Sequence, residues 1–154
     1  GPAGGRPGRA ADGRRPAEPG QAEKSEKIRL FWEKPTFLKT KVKLIKDSGL
    51  KAGISIKPST SSNNITQYLN YVDLILIMTV EPGFGGQRFL EEQLKKIKEI
   101  KDLIGERDIE IEVDGGINKL TARKTIEAGA KVLVSGSSIF KGNDYQKNIH
   151  ELRL

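Results

Sequence analysis

Val72-Asp73-Leu74-Ile75-Leu76-Ile77-Met78-Thr79 is a nearly unbroken apolar run in a chain otherwise crowded with charge. A strand that shows one face to water alternates polar and apolar residues. A continuous run implies burial on both faces, as in a parallel strand covered by helices. Downstream, Leu90, Leu94, Ile97, Ile100 and Ile104 recur at three- and four-residue steps, which predicts an amphipathic helix. IEIEV (109–113) reads as the next strand, 119–128 as a helix ending at Gly129, KVLVS (131–135) as a strand, and 143–152 as a final helix. Upstream, Val42, Ile45 and Leu50 punctuate a basic helix that stops at Gly49. KAGISIK (51–57) is a strand closed by Pro58, and 63–70 forms a short helix with Asn63 as its cap. The order is a helix and then four βα units, which calls for an α/β fold with parallel strands and right-handed crossovers. Periodicity alone permits either a small doubly wound sheet or a segment of a barrel.

The 154 residues allow one domain, short of the roughly 200 that a complete (β/α)8 barrel needs. The first 27 residues contain no Ile, Leu, Val, Phe, Tyr or Trp, and half of the first twenty are Gly or Pro. Such a segment buries too little apolar surface to offset its chain entropy and is expected to be a disordered leader. The opening at Gly1 in place of a methionine adds the expectation of a truncated or joined product. Residues 28–154 then form the folded part. No apolar run approaches the roughly 18 residues needed to cross a bilayer, and no secretory signal core is present. Without cysteine, disulfides and thiolate zinc sites are excluded, and a cytoplasmic setting is expected. The net charge of +7 is spread among glutamates on helical stretches such as KKIKEIKD (95–102), so neither nucleic acid nor membrane is expected as a partner.

Ligands of parallel α/β folds bind where strand carboxyl ends meet the following loops. Three such loops carry unusual chemistry: Thr79-Val80-Glu81-Pro82-Gly83-Phe84-Gly85-Gly86-Gln87, then Asp114-Gly115-Gly116-Ile117-Asn118, then Ser135-Gly136-Ser137-Ser138. Glycines let backbone amides approach an anion closely, and three glycine loops at successive strand ends suggest a phosphate site. Asp114 is a metal ligand, a proton shuttle or a turn former by its position alone. Glu110 and Glu112 share its side of the strand, and a buried Glu112 needs a partner, for which Lys51 and Lys57 are candidates. Met78 reads as core with Leu74 and Leu76, or as an apolar site wall. His150, the only histidine, reads as a surface residue.

MTVEPGFGGQRF (78–89), EVDGGIN (112–118), EAGAKVLVSGSSIF (127–140) and KAGISIKPST (51–60) together resemble the ribulose-phosphate 3-epimerase family, in order and at its spacing. The resemblance implies a (β/α)8 barrel, TIM-barrel type, of which this chain supplies strands five to eight. It implies interconversion of D-ribulose 5-phosphate and D-xylulose 5-phosphate through proton transfer at carbon 3 between two aspartates. It also implies a divalent metal (Zn, Fe, Mn or Co) as the Lewis acid on the developing oxyanion. Asp114 matches the second aspartate, both acid/base and metal ligand. Gly83, Phe84, Gly85 and Gly86 match the loop over the substrate, while Gly115, Gly116, Gly136 and Ser137 match its phosphate-binding backbone. Met78 matches a methionine that lines the site.

The family's early serine, histidine-x-aspartate pair and later histidine are absent from this sequence. One acid/base group of two and one metal ligand of four remain, which implies a fragment inactive alone. The alternatives are a non-catalytic phosphate-binding half barrel, a self-associating protein whose open sheet edges pair into a homo-oligomer, or an epimerase for a related sugar phosphate.

Overall fold

The computed structural model describes residues 27–31 and 35–153, with side chains from residue 37 onward. The elements in chain order are β1 (Lys27–Phe31), α1 (Pro35–Asp47), β2 (Lys51–Ile56), a 3-10 helix (Ser62–Tyr68), β3 (Leu74–Met78), α2 (Gln93–Ile104), β4 (Glu110–Asp114), α3 (Lys119–Ala128), β5 (Val132–Val134), α4 (Ser137–Phe140) and α5 (Tyr145–Leu152). Each strand and helix expected from the sequence is present. Two elements were not foreseen: β1 ahead of the first helix, and the one-turn α4 in what read as a loop. β1 starts at Lys27, one residue inside the expected leader. The rest of that leader lies outside the described residues.

Two local expectations change. The first helix, expected around Val42 and Ile45 with no start assigned, begins at Pro35, whose fixed φ suits a first turn. The turn after β2 is capped by Ser61 in place of Asn63. The Ser61 side chain accepts from the Asn63 N–H at 3.4 Å, so Asn63 sits inside the turn it was expected to open.

All strand pairs are parallel, and the sheet order is β1-β2-β3-β4-β5. A doubly wound sheet reverses its strand order part-way and covers both faces with helices. Here the order never reverses and the helices share one face, which removes the doubly wound alternative. That face holds the main core. Ile54, Ile56, Ile75, Ile77, Ile111 and Val113 point toward Val42, Tyr68, Ile97, Ile100 and Ala122, and all are essentially inaccessible to water. The side chains that alternate with them on β3, Leu74, Leu76 and Met78, join Val80 in a separate small cluster on the opposite face. The continuous apolar run is thus buried from two sides, by two different sets of neighbours.

Polar contacts lock the layers. Asp73 accepts from the Ala52 N–H at 2.8 Å and from Lys46 Nζ at 2.7 Å, tying α1, β2 and the entry to β3 together. Lys96 on α2 donates to the carbonyls of Pro58 and Lys57, clamping the loop after β2, and burial lowers its pKa below the usual lysine value.

Candidate functional site at the strand tips

In-register residues of a parallel ladder share a face. Met78 pairs with Asp114, and Asp114 with Val134, so these three form the last row at the carboxyl ends of β3, β4 and β5. One row deeper, Ser55, Leu76, Glu112 and Val132 are aligned. The outermost row opens into a cavity of about 410 Å³, a size suited to a small metabolite. Every residue expected at the site lines it: Met78, then Gly83, Phe84, Gly85 and Gly86 from the first loop, Asp114, Gly115 and Gly116 from the second, and Gly136 and Ser137 from the third. Met78 combines its two readings, because it is 8% exposed within the small cluster and also walls the cavity.

The loops are fixed to one another by bonds that the motifs did not disclose. The Thr79 N–H donates to the Asp114 carbonyl at 2.9 Å, and the Thr79 hydroxyl to the Gly115 carbonyl at 2.6 Å. Ser135 and Ser138 both donate to the Ile117 carbonyl, at 2.9 and 2.8 Å, joining the second loop to the third. Gln87 Nε2 donates to the Glu81 and Phe84 carbonyls at 2.6 and 2.9 Å, folding the first loop back on itself. Phe84 then stands at the rim, 74% exposed. The motif reading did not single out these positioning residues, because nothing local to a threonine, serine or glutamine marks the distant carbonyl it reaches.

Asn118 closes the second loop and starts α3. Its side chain accepts from the Leu120 and Thr121 amides, while the Thr121 hydroxyl accepts from the Asn118 N–H and donates to the Gly116 carbonyl. This reciprocal cap stabilises both the helix end and the glycine turn. Asn118→Ala is expected to cost about 1–2 kcal/mol in urea denaturation. A change within about 0.3 kcal/mol would mean that the cap contributes nothing.

Among the described residues, the N–H groups of Gly85, Gly86, Gly116 and Gly136 donate to no backbone carbonyl. They can therefore serve a ligand oxygen. The donor set for a metal is much poorer. No group of three or more His, Cys, Asp or Glu among the described residues is placed to hold an ion, and Asp114 alone does not fit a resident divalent metal. His150 is exposed on α5 and does not line the cavity. Glu112 is 2% exposed, while Lys51 and Lys57, its expected counter-charges, are exposed residues.

Residues 17–140 match the model of the ribulose-phosphate 3 epimerase family. The chain belongs to that family. The match begins well before the quoted motifs, inside the residues expected as a leader. Ribulose-phosphate 3-epimerase of Bacillus subtilis (strain 168) is 49% identical over 115 residues, which is 73% of this chain and 53% of that protein. The chloroplastic ribulose-5-phosphate-3-epimerase of Arabidopsis thaliana is 46% identical over 73% of this chain and 41% of its own length. For ribulose-phosphate 3-epimerase of Escherichia coli (strain K12) the values are 41%, 73% and 51%. The chain thus spans about half the length of the curated relatives it matches. The crystal structure of 3-hexulose-6-phosphate synthase is similar at a TM-score of 0.62 and 16% identity, covering 83% of this chain and 60% of that one, a likeness of fold alone. No helix among the described residues is long and apolar enough to cross a membrane.

Proposed function

We propose that the chain is the carboxyl-terminal part of a ribulose-phosphate 3-epimerase barrel that binds a pentose phosphate and does not epimerise it unaided. The supporting observation is the cavity at the strand tips, where three glycine loops meet beside Asp114. In this reading β2–β5 are barrel strands five to eight with β1 before them, and the sequential order of the sheet supports it. The amides of Gly86, Gly116 and Gly136 hold the phosphate, and Phe84 covers the sugar from the rim. Asp114 faces carbon 3.

Removing the carbon-3 proton to a carboxylate leaves an enediolate. Returning it from the same carboxylate delivers it to the same face and regenerates the starting sugar. Inversion needs a second acid on the opposite face. Among the described residues the cavity offers one other carboxylate, Glu81, an exposed residue of the first loop and not of the strand-end row that carries Asp114. A metal belongs to the completed barrel, since its other ligands are not in this sequence. A cytoplasmic setting without nucleic-acid or membrane partners goes with this reading. Self-association into a barrel is less favoured, because two five-stranded sheets bring ten strands to a fold that closes with eight.

The purified chain, given ribulose 5-phosphate and divalent metal salts, is expected to form no xylulose 5-phosphate in a coupled steady-state assay. Turnover that disappears in Asp114→Asn would overturn the claim that this half is inactive.

A further inference from the structure

Among the described residues, the cavity is lined by two carboxylates, Glu81 and Asp114, and by no lysine or arginine. The donors that this lining offers a phosphate are neutral backbone amides. A second pocket of about 330 Å³ adjoins the cavity and shares Gly86, Gln87, Gly116 and Ser137 with it. Its lining includes Arg88 and Glu91. Glu91 is neutralised by Lys124 Nζ at 2.8 Å, whereas Arg88 enters no ion pair among the described residues. Among the described residues, Arg88 is thus the unpaired cation that lines this pocket beside Gly86 and Gly116.

We propose that Arg88 is a specificity-determining residue whose guanidinium recognises the phosphate monoester held by those amides. This rests on the phosphate-binding reading above and adds to it a charge that the glycine motifs do not supply. A planar guanidinium suits a phosphate because it can donate two parallel hydrogen bonds and stays charged at any working pH. Its position immediately after Gln87, the residue that pins the first loop, fixes where its backbone starts.

Inorganic phosphate is titrated into the folded chain while the amide signals of Gly86, Gly116 and Gly136 are followed by NMR. Wild type, Arg88→Gln, Arg88→Lys and Arg123→Gln are compared, the last removing an equal charge from an exposed site on α3 that lines neither pocket. Saturable shifts are expected in wild type, with Arg88→Gln about tenfold weaker, Arg88→Lys between the two, and Arg123→Gln unchanged within about twofold. Wild-type saturation with an unaltered Arg88→Gln would sink the role of Arg88 and leave the phosphate site standing. Equal losses in Arg88→Gln and Arg123→Gln would reduce the effect to net charge and also overturn it. No shifts at all in wild type would remove the phosphate reading, and the Arg88 assignment with it.

Discussion

Gly116→Ala is expected to lower the thermal midpoint by roughly 10 °C, by the usual conversion of stability into melting temperature, and to abolish the phosphate-induced shifts. Two separate penalties add at this position. The backbone has φ of +65°, a conformation that costs an L-residue about 1–2 kcal/mol. A methyl group there would also sit 2.6 Å from the Phe89 nitrogen and 2.8 Å from its Cα, atoms that cannot rotate away. Overpacking against fixed backbone costs about 1–3 kcal/mol more, so the sum is about 2–5 kcal/mol. Relief comes only by parting the first and second loops, which are the two walls that share the cavity. Gly49→Ala isolates the first penalty, because φ is +76° but no atom lies within 4 Å of the added carbon. Its midpoint is expected to fall by only a few degrees. Circular dichroism melts of both variants decide the matter. Equal shifts would show that the contact with Phe89 is unimportant.

The same loops show what the sequence could and could not disclose. Glycines and Asp114 announce themselves because their residue types are rare in that combination at strand ends, and all of them line the one cavity. The bonds that hold the loops together come from Thr79, Gln87, Ser135 and Ser138, common polar residues whose partners lie up to 36 positions away. No local pattern distinguishes a hydroxyl that reaches a carbonyl across a loop from one that faces water. β1 was missed for another reason. Lys27-Ile28-Arg29-Leu30-Phe31 has the two-residue alternation of a strand, but its charges resemble the polar segment before it, and a five-residue run carries little weight until its ladder to β2 is seen. Sheet order was likewise beyond periodicity, because a helix on either face of a strand gives the same apolar run.

Ile77→Ala is expected to destabilise the chain by about 3–4 kcal/mol, and Leu76→Ala by clearly less, roughly 1–2 kcal/mol. The two residues are neighbours on the central strand β3 and have almost the same volume, so propensity and transfer terms nearly cancel in the comparison. Ile77 is fully buried in the main core, between the sheet and the helices that cover it. Truncation there leaves a cavity whose walls are held by several elements and cannot collapse. Leu76 is 6% exposed and belongs to the four-residue cluster with Leu74, Met78 and Val80. Fewer neighbours surround it, so they can relax into the gap. Urea denaturation of both variants, at matched slopes, gives the difference directly. Should a polypeptide completing the barrel bind this face, the cost of Leu76→Ala would rise toward that of Ile77→Ala, because its side chain would then sit in a packed interior. An unchanged difference in the presence of such a partner would mean that the inner face of the sheet is not where barrel closure occurs.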